Sequence, residues 1–251
     1  MEKKSLQIEE KQILVLLLCT TINDWVKQQY QRYSTTYNTV LIPHQSEGID
    51  KLPSSWKVWT ISDEKCLQNG FKFMHSKKRR LPVTSWDKAF YYLHLNETTT
   101  LDHVWFIEHD VYIHEPQCLC DLLKKNPQVD FLTAHRIRSK EDHPEWVHWK
   151  AGEVLKRHEI KDLNKCLNVI CCMSLPMISE CLKIREKQKS FIFHEVFFAS
   201  IATHLNLNIL TLNIPTIRVA PYSQVAIKKN IQKGNTPVIV HPFKTNKAIS
   251  F

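Results

Sequence analysis

His103-Val104-Trp105-Phe106-Ile107-Glu108-His109-Asp110-Val111-Tyr112-Ile113 is the stretch on which the reading of the fold turns. An apolar run of strand type meets three polar, titratable residues and then resumes. Charge inside an apolar strand is costly unless it is paired or holds a cation, so Glu108 and Asp110 need a purpose. In an extended chain side chains two apart share a side, which aims Glu108 and Asp110 into one pocket and His109 away from it. Open α/β sheets receive their ligands at the C-terminal ends of strands, where this pair would sit. The plainer alternative is a strand that stops at Ile107, with the acidic pair decorating a loop.

Outward from that stretch, strands and helices alternate. Ser85-Trp86-Asp87-Lys88-Ala89-Phe90-Tyr91-Tyr92-Leu93 opens with an N-cap type of residue and carries apolar residues at helical spacing. Ile13–Cys19 is apolar throughout, as expected of a strand covered on both faces. A helix is expected over Trp25–Tyr33, and strands over Thr39–Ile42 and Trp56–Ile61, with Ser62-Asp63 capping a short helix. Downstream, the pattern predicts a helix over Pro116–Lys125, strands over Val129–Ala134 and Val169–Leu175, helices over Pro176–Lys187 and His194–His204, and a strand over Ile209–Ile214, after which the tail carries Thr236–Val240 ahead of His241. This rhythm specifies an α/β fold with a Rossmann-like, mainly parallel sheet flanked by helices. No linker or repeat divides the chain, so a single domain over residues 11–245 is expected, between tails at 1–10 and 246–251.

Composition removes several function classes. Four glycines in 251 residues leave no Gly-rich phosphate loop, which argues against dehydrogenases, P-loop NTPases and kinases. A formal charge of +9 favours anionic ligands without choosing among nucleotides, nucleic acids and membranes. Part of the excess sits in Lys77–Arg80, in the 183–189 stretch and in Lys228, Lys229, Lys233, Lys244 and Lys247. The eight cysteines include Cys118-x-Cys120 and the adjacent Cys171-Cys172, spacings that suit neither a zinc site nor a disulfide framework; they read as reduced, buried residues. Ile13–Cys19 is too short to span a bilayer and lacks a cleavage site after it, so no transmembrane segment and a cytoplasmic location are expected.

Trp105–Ile113 resembles the "WFIEDDVFI" type of strand, bearing a D-x-D motif, of GT-A glycosyltransferases. His109 stands where that pattern has a carboxylate. His241-Pro242-Phe243-Lys244 is similar to the late His motif that completes the metal site in many of these enzymes. The resemblance covers residues 10–245 in element order and implies a GT-A-like fold. It implies a metal-dependent hexosyltransferase, taking its sugar from a nucleoside-diphosphate sugar, UDP-sugar first, to a glycan or protein acceptor. Asp110, His241 and Glu108 are the expected metal ligands, Glu108 serving alternatively on the ribose, and a mixed oxygen and nitrogen set suits Mn²⁺ somewhat better than Mg²⁺. Thr20 and Thr21, with Asn23, are expected at the nucleotide, Asp63 at the base or ribose, Asp87 and Lys88 either at the ribose or diphosphate or as polar residues of the helix start, and Lys244 at a phosphate or in solvent.

An inverting transfer also needs a base for the acceptor hydroxyl. Glu195, within Phe191–Phe198, is a carboxylate in apolar surroundings that would raise its pKa, with His194 as substitute. Trp146, His148 and Trp149 suit sugar stacking or loop packing equally. Two other readings compete: a catalytically silent polyanion-binding or nucleic-acid-binding shell, and a metal-dependent nuclease. The nuclease would need denser metal-ligand clusters than the chain offers, and nucleic acid is not the expected partner.

Overall fold

The computed structural model describes residues 13–74, 81–96, 101–212 and 239–241. The N-terminal tail, Lys77–Arg80, Lys244 and the basic residues of the tail region lie outside them.

Strand β1 (Ile13–Cys19) is buried along its whole length. Its alternation divides the molecule: Ile13, Val15 and Leu17 face one core, Leu14, Leu16 and Leu18 the other. Helix α1 (Asp24–Ser34) follows, capped by Asn23, whose side chain accepts from the Val26 amide; it packs Val26, Tyr30 and Tyr33 on the first face. Strand β2 (Asn38–Pro43) pairs parallel to β1, and α2 (Asp63–Gln68) starts at Ser62, whose hydroxyl accepts from the Lys65 amide. Helix α3 (Ser85–Leu95) covers the second face and leads to β3 (His103–Glu108), parallel to β1 on its other side.

Beyond β3 come the short β4 (Tyr112–Ile113), α4 (Cys118–Lys125) and β5 (Phe131–Thr133). A two-stranded ribbon, β6 (Arg138–Ser139) with β7 (Asn164–Lys165), encloses the one-turn α5 (Trp149–Gly152) in sequence. Strand β8 (Ile170–Ser174), α6 (Leu175–Gln188), α7 (His194–His204), β9 (Ile209–Thr211) and β10 (Ile239–Val240) complete the order. The main sheet runs β2-β1-β3-β8-β5-β9, in which β8 alone is reversed against both neighbours. The α/β fold with a mainly parallel sheet flanked by helices is therefore the one found. Trp105 and Phe106, neighbours on β3, are fully buried on opposite faces; truncating either to Ala would cost about 3–5 kcal/mol.

Three expectations are corrected. Trp56–Ile61 is not a strand: Val58 makes a single parallel bridge to Leu41. The segment is held instead by its rings, Trp56 stacked on Tyr30 at 4.2 Å and Trp59 edge-on to Tyr92 at 5.4 Å. The N-cap of α3 is Thr84, one residue before Ser85, and it forms a reciprocal capping box with Asp87. The strand through the acidic stretch stops at Glu108, and a turn replaces the expected alternation. All eight cysteines are free thiols, and all but Cys118 are fully buried. No described helix is long and apolar enough to cross a membrane.

Candidate functional site: a carboxylate and histidine cleft at the strand ends

The cleft lies where β1 and β3 end, as the strand polarity dictates. Pairing carries β3 as far as Leu18 opposite Glu108, and the His109 amide then donates to the Leu18 carbonyl at 2.8 Å. The Val111 amide returns to the Glu108 carbonyl at 3.0 Å and closes a tight turn. Because the chain turns instead of alternating, Glu108, His109 and Asp110 all line the cleft.

Past the turn, β4 pairs antiparallel with β10, Tyr112 opposite Val240, and the next residue of that distant strand is His241. Its Nε2 lies 3.4 Å from Asp110 Oδ2. One oxygen each of Glu108 and Asp110 and one ring nitrogen of His241 fall within 4.8 Å of one another. The other Asp110 oxygen, Oδ1, is buried and has no hydrogen-bond partner among the described residues. Burial opposes ionisation of Asp110, but the His241 hydrogen bond and the positive charge of His241 and His109 outweigh it and hold the carboxyl below its ordinary range. Two carboxylate oxygens, an imidazole nitrogen and an orphaned buried oxygen form a donor set able to hold a divalent cation.

Glu108 is held from the α3 side. The Trp86 indole N–H donates to Glu108 Oε1 at 2.8 Å, while its ring stacks on His194 at 4.6 Å and on Phe106 at 5.4 Å. His194 in turn has Nδ1 at 2.6 Å from the Met74 carbonyl. A carbonyl only accepts, so Nδ1 carries the proton in that contact. Glu195 is in the first turn of α7 and lines the same cleft. Burial, and then the nearby Glu108 charge, push its carboxyl up to about 7, against the opposing pull of Lys165.

The cleft encloses about 540 Å³ and shares His44 with a second cavity of about 580 Å³, lined in part by Asp63 and Lys88. Lys88 is buried, 2.8 Å from the Asp63 carboxylate and 2.5 Å from the His44 carbonyl. Thus Thr20, Glu108, Asp110, Glu195 and His241 line the first cavity, and Asp63 and Lys88 the second. Thr21 is exposed and lines neither, and Lys244 lies outside the described residues.

The expectation for Asp87 is corrected. It is fully buried, and its oxygens accept from the Met74 amide at 3.1 Å, the Thr84 amide at 2.8 Å and the Thr84 hydroxyl at 2.9 Å, which leaves no face toward a ligand. Asn23 is likewise used as a cap. Trp149 is buried with its N–H on the His143 carbonyl, and Trp146 stacks on Phe193 under the Lys165 ammonium at 4.5 Å, so this loop is packed. Trp86 and His44 are the functional neighbours that the sequence reading missed. Trp86 had a readable signal, since an indole N–H on a buried helix face must find an acceptor.

No family profile and no curated protein sequence matches the chain. Its outline is shared with sugar transferases. Mouse xyloside xylosyltransferase 1, in its apo form, is 10% identical, with 97% of this chain and 100% of that chain covered and a TM-score of 0.48. The galactosyltransferase LgtC, in complex with donor and acceptor sugar analogues, is 9% identical over 93% of this chain and 87% of its own, with a TM-score of 0.46. A glycosyltransferase involved in the glycosylation of the major capsid of PBCV-1 is 9% identical, with 93% and 95% covered and a TM-score of 0.42. At such identities, and with TM-scores below one half, the likeness decides nothing about activity. The residues of the cleft carry that argument.

Proposed function

We propose that the chain is a metal-dependent glycosyltransferase that moves a hexose from a nucleoside-diphosphate sugar, a UDP-sugar first, to a hydroxyl of a glycan or protein acceptor. The observation that carries this reading is the convergence of one ligand atom each of Glu108, Asp110 and His241 to within 4.8 Å of one another, in a cleft that also presents Glu195. A divalent cation held by these three side chains, Mn²⁺ before Mg²⁺, would neutralise the diphosphate as the bond to the sugar breaks. The Trp86 indole N–H, donated to Glu108 Oε1, fixes the direction of the carboxylate from the α3 side.

The second cavity supports the nucleotide end of the donor. Asp63 and Lys88 present a carboxylate and an ammonium suited to ribose hydroxyls and a phosphate oxygen, with Thr20 at the threshold of the first cavity. Lys244, beyond the described residues, keeps its proposed place at a phosphate. Glu195 is the proposed base: with its carboxyl raised to about 7, it takes the acceptor hydroxyl proton near neutral pH as the oxygen attacks the sugar carbon and the nucleoside diphosphate departs.

A polyanion-binding shell fits the cleft less well. Glu108, Asp110 and Glu195 give it three carboxylates, which repel phosphate unless a cation intervenes. The deciding experiment is calorimetric titration of the full chain with nucleoside diphosphates and their sugars, with Mn²⁺ and then with EDTA. Binding of one nucleotide that needs metal and is lost in Asp110→Ala is the expected result. Binding that ignores metal and collapses with salt would replace this reading with the polyanion-binding one.

A further inference from the structure

Helix α1 touches the metal-binding turn at two places, and both contacts reach its backbone. Trp25, in the first turn of the helix, donates its indole N–H to the His109 carbonyl at 2.7 Å. Arg32, near the other end, uses Nη2 to reach the Ile113 carbonyl at 2.5 Å and the His114 carbonyl at 2.7 Å, and its guanidinium lies 4.9 Å over the Tyr112 ring. Trp25 and Arg32 are seven residues apart, so they lie two turns apart on one helix face, separated by about 10 Å. Trp25 also approaches Tyr112, with ring centroids 6.1 Å apart.

Between the two anchored carbonyls lies the segment that matters for a cation. Asp110 directly follows the carbonyl held by Trp25. Tyr112 and Ile113, next to the carbonyls held by Arg32, are the residues that pair with β10 and so bring His241 to Asp110. A two-residue pairing is too short to fix a strand by itself. The two side chains of α1 supply what it lacks, since the guanidinium fork can serve two carbonyls at once and hold them in one orientation.

We infer that α1 acts as a splint for the metal centre, with Trp25 and Arg32 as positioning residues that set the spacing between Asp110 and His241 without touching the ion. This inference rests on the metal reading given above. It assigns Trp25 and Arg32 a role in affinity, apart from their packing.

The test is titration of Mn²⁺ into the full chain without nucleotide, for the wild type and for Trp25→Phe, Arg32→Met, Arg32→Lys and the double variant Trp25→Phe/Arg32→Met. Lys183→Gly, which weakens α6 by helix propensity at an exposed position that does not line the cleft, is the control. Melting temperature is followed in parallel. Each single loss of an anchor is expected to raise the Mn²⁺ dissociation constant about tenfold, the scale seen when groups supporting metal ligands are removed. Arg32→Lys should restore part of the loss, and Lys183→Gly should leave the constant unchanged despite a lower melting temperature. In a Mg²⁺ titration followed by NMR, the Trp25 indole N–H signal should shift in the wild type and stay fixed in Asp110→Ala. Wild-type affinity in the double variant, or equal weakening by Lys183→Gly, would overturn the splint and leave the metal site standing. If the wild type takes no Mn²⁺, or Asp110→Ala takes it equally well, the metal reading fails and the splint with it.

Discussion

Two acidic corners meet at His44, and their charges are handled differently. In the corner after β3, Asp110 keeps one buried oxygen without a hydrogen-bond partner among the described residues, and its neighbours are a second carboxylate and His241. In the corner between β2 and α2, Asp63 is answered by Lys88 at 2.8 Å, and the pair is neutral as it stands. The first corner gathers two carboxylates against imidazoles, whereas the second matches its carboxylate with a lysine ammonium. On the proposed function a cation would sit in the first, whereas the second suits a ligand that exchanges hydrogen bonds with an existing ion pair.

That contrast is easiest to break at Asp110. Asp110→Ala should weaken Mn²⁺ binding and transfer by more than about 100-fold, beyond the usual loss for a supporting group, with the circular dichroism spectrum unchanged. Normal metal-dependent turnover would erase the distinction between the corners. Glu195→Gln should come next, lowering kcat by about 10²–10⁴-fold, as loss of a positioned base does, with little change in Mn²⁺ affinity.

Glu195 also gives the pH dependence a sign. Its carboxyl stands at about 7 in the folded chain against a reference of 4.5, so the folded state holds this proton more tightly than the unfolded one. The stability gained that way is present below the unfolded pKa and is lost as pH rises through about 7, a loss of up to roughly 3 kcal/mol. A base must be deprotonated, so kcat should rise over the same interval. Glu195→Gln should therefore abolish that limb of the rate profile and melt higher than the wild type at pH 8; a lower melting temperature there would contradict the burial argument.

Lys88→Met sharpens the comparison from the other corner. Donor KM should rise about tenfold, the equivalent of 1.4 kcal/mol, while the Mn²⁺ constant stays put. A fall in metal affinity would mean that the corners act as one. Smallest for function is Asp87→Ala, which removes the capping box of α3. It should cost about 1–2 kcal/mol in urea unfolding and leave donor KM unchanged at temperatures where the chain is folded.

Asp87 also shows where the sequence can be misread. Thr84-x-x-Asp87 ahead of an apolar run is capping-box spacing, and of the two uses open to the aspartate, ligand or helix start, the packing shows the second. Strand β1 was legible because seven apolar residues in a row admit little else at the centre of such a sheet. The charged triplet after Ile107 announced a site, but the reason its carboxylates share a cleft was not alternation. It is the turn closed by the Val111 amide, a bond that no periodicity encodes. His241 could be paired with Asp110 only through a resemblance, since a register of two residues between distant segments leaves no local pattern. Trp86 and His44 depend on distances between elements in the same way, so their place beside the site emerged only from the packing.

The pairing of β4 with β10 joins parts of the chain separated by most of the sheet in sequence. Contacts of that kind must overcome loop closure before they repay it, so they form late and open early. Each opening takes His241 away from Asp110 and returns the acidic pair to water. The apparent affinity for a cation is then the intrinsic one scaled by the fraction of time the ribbon is shut. On the proposed function, metal affinity would measure a local folding equilibrium as much as three side chains.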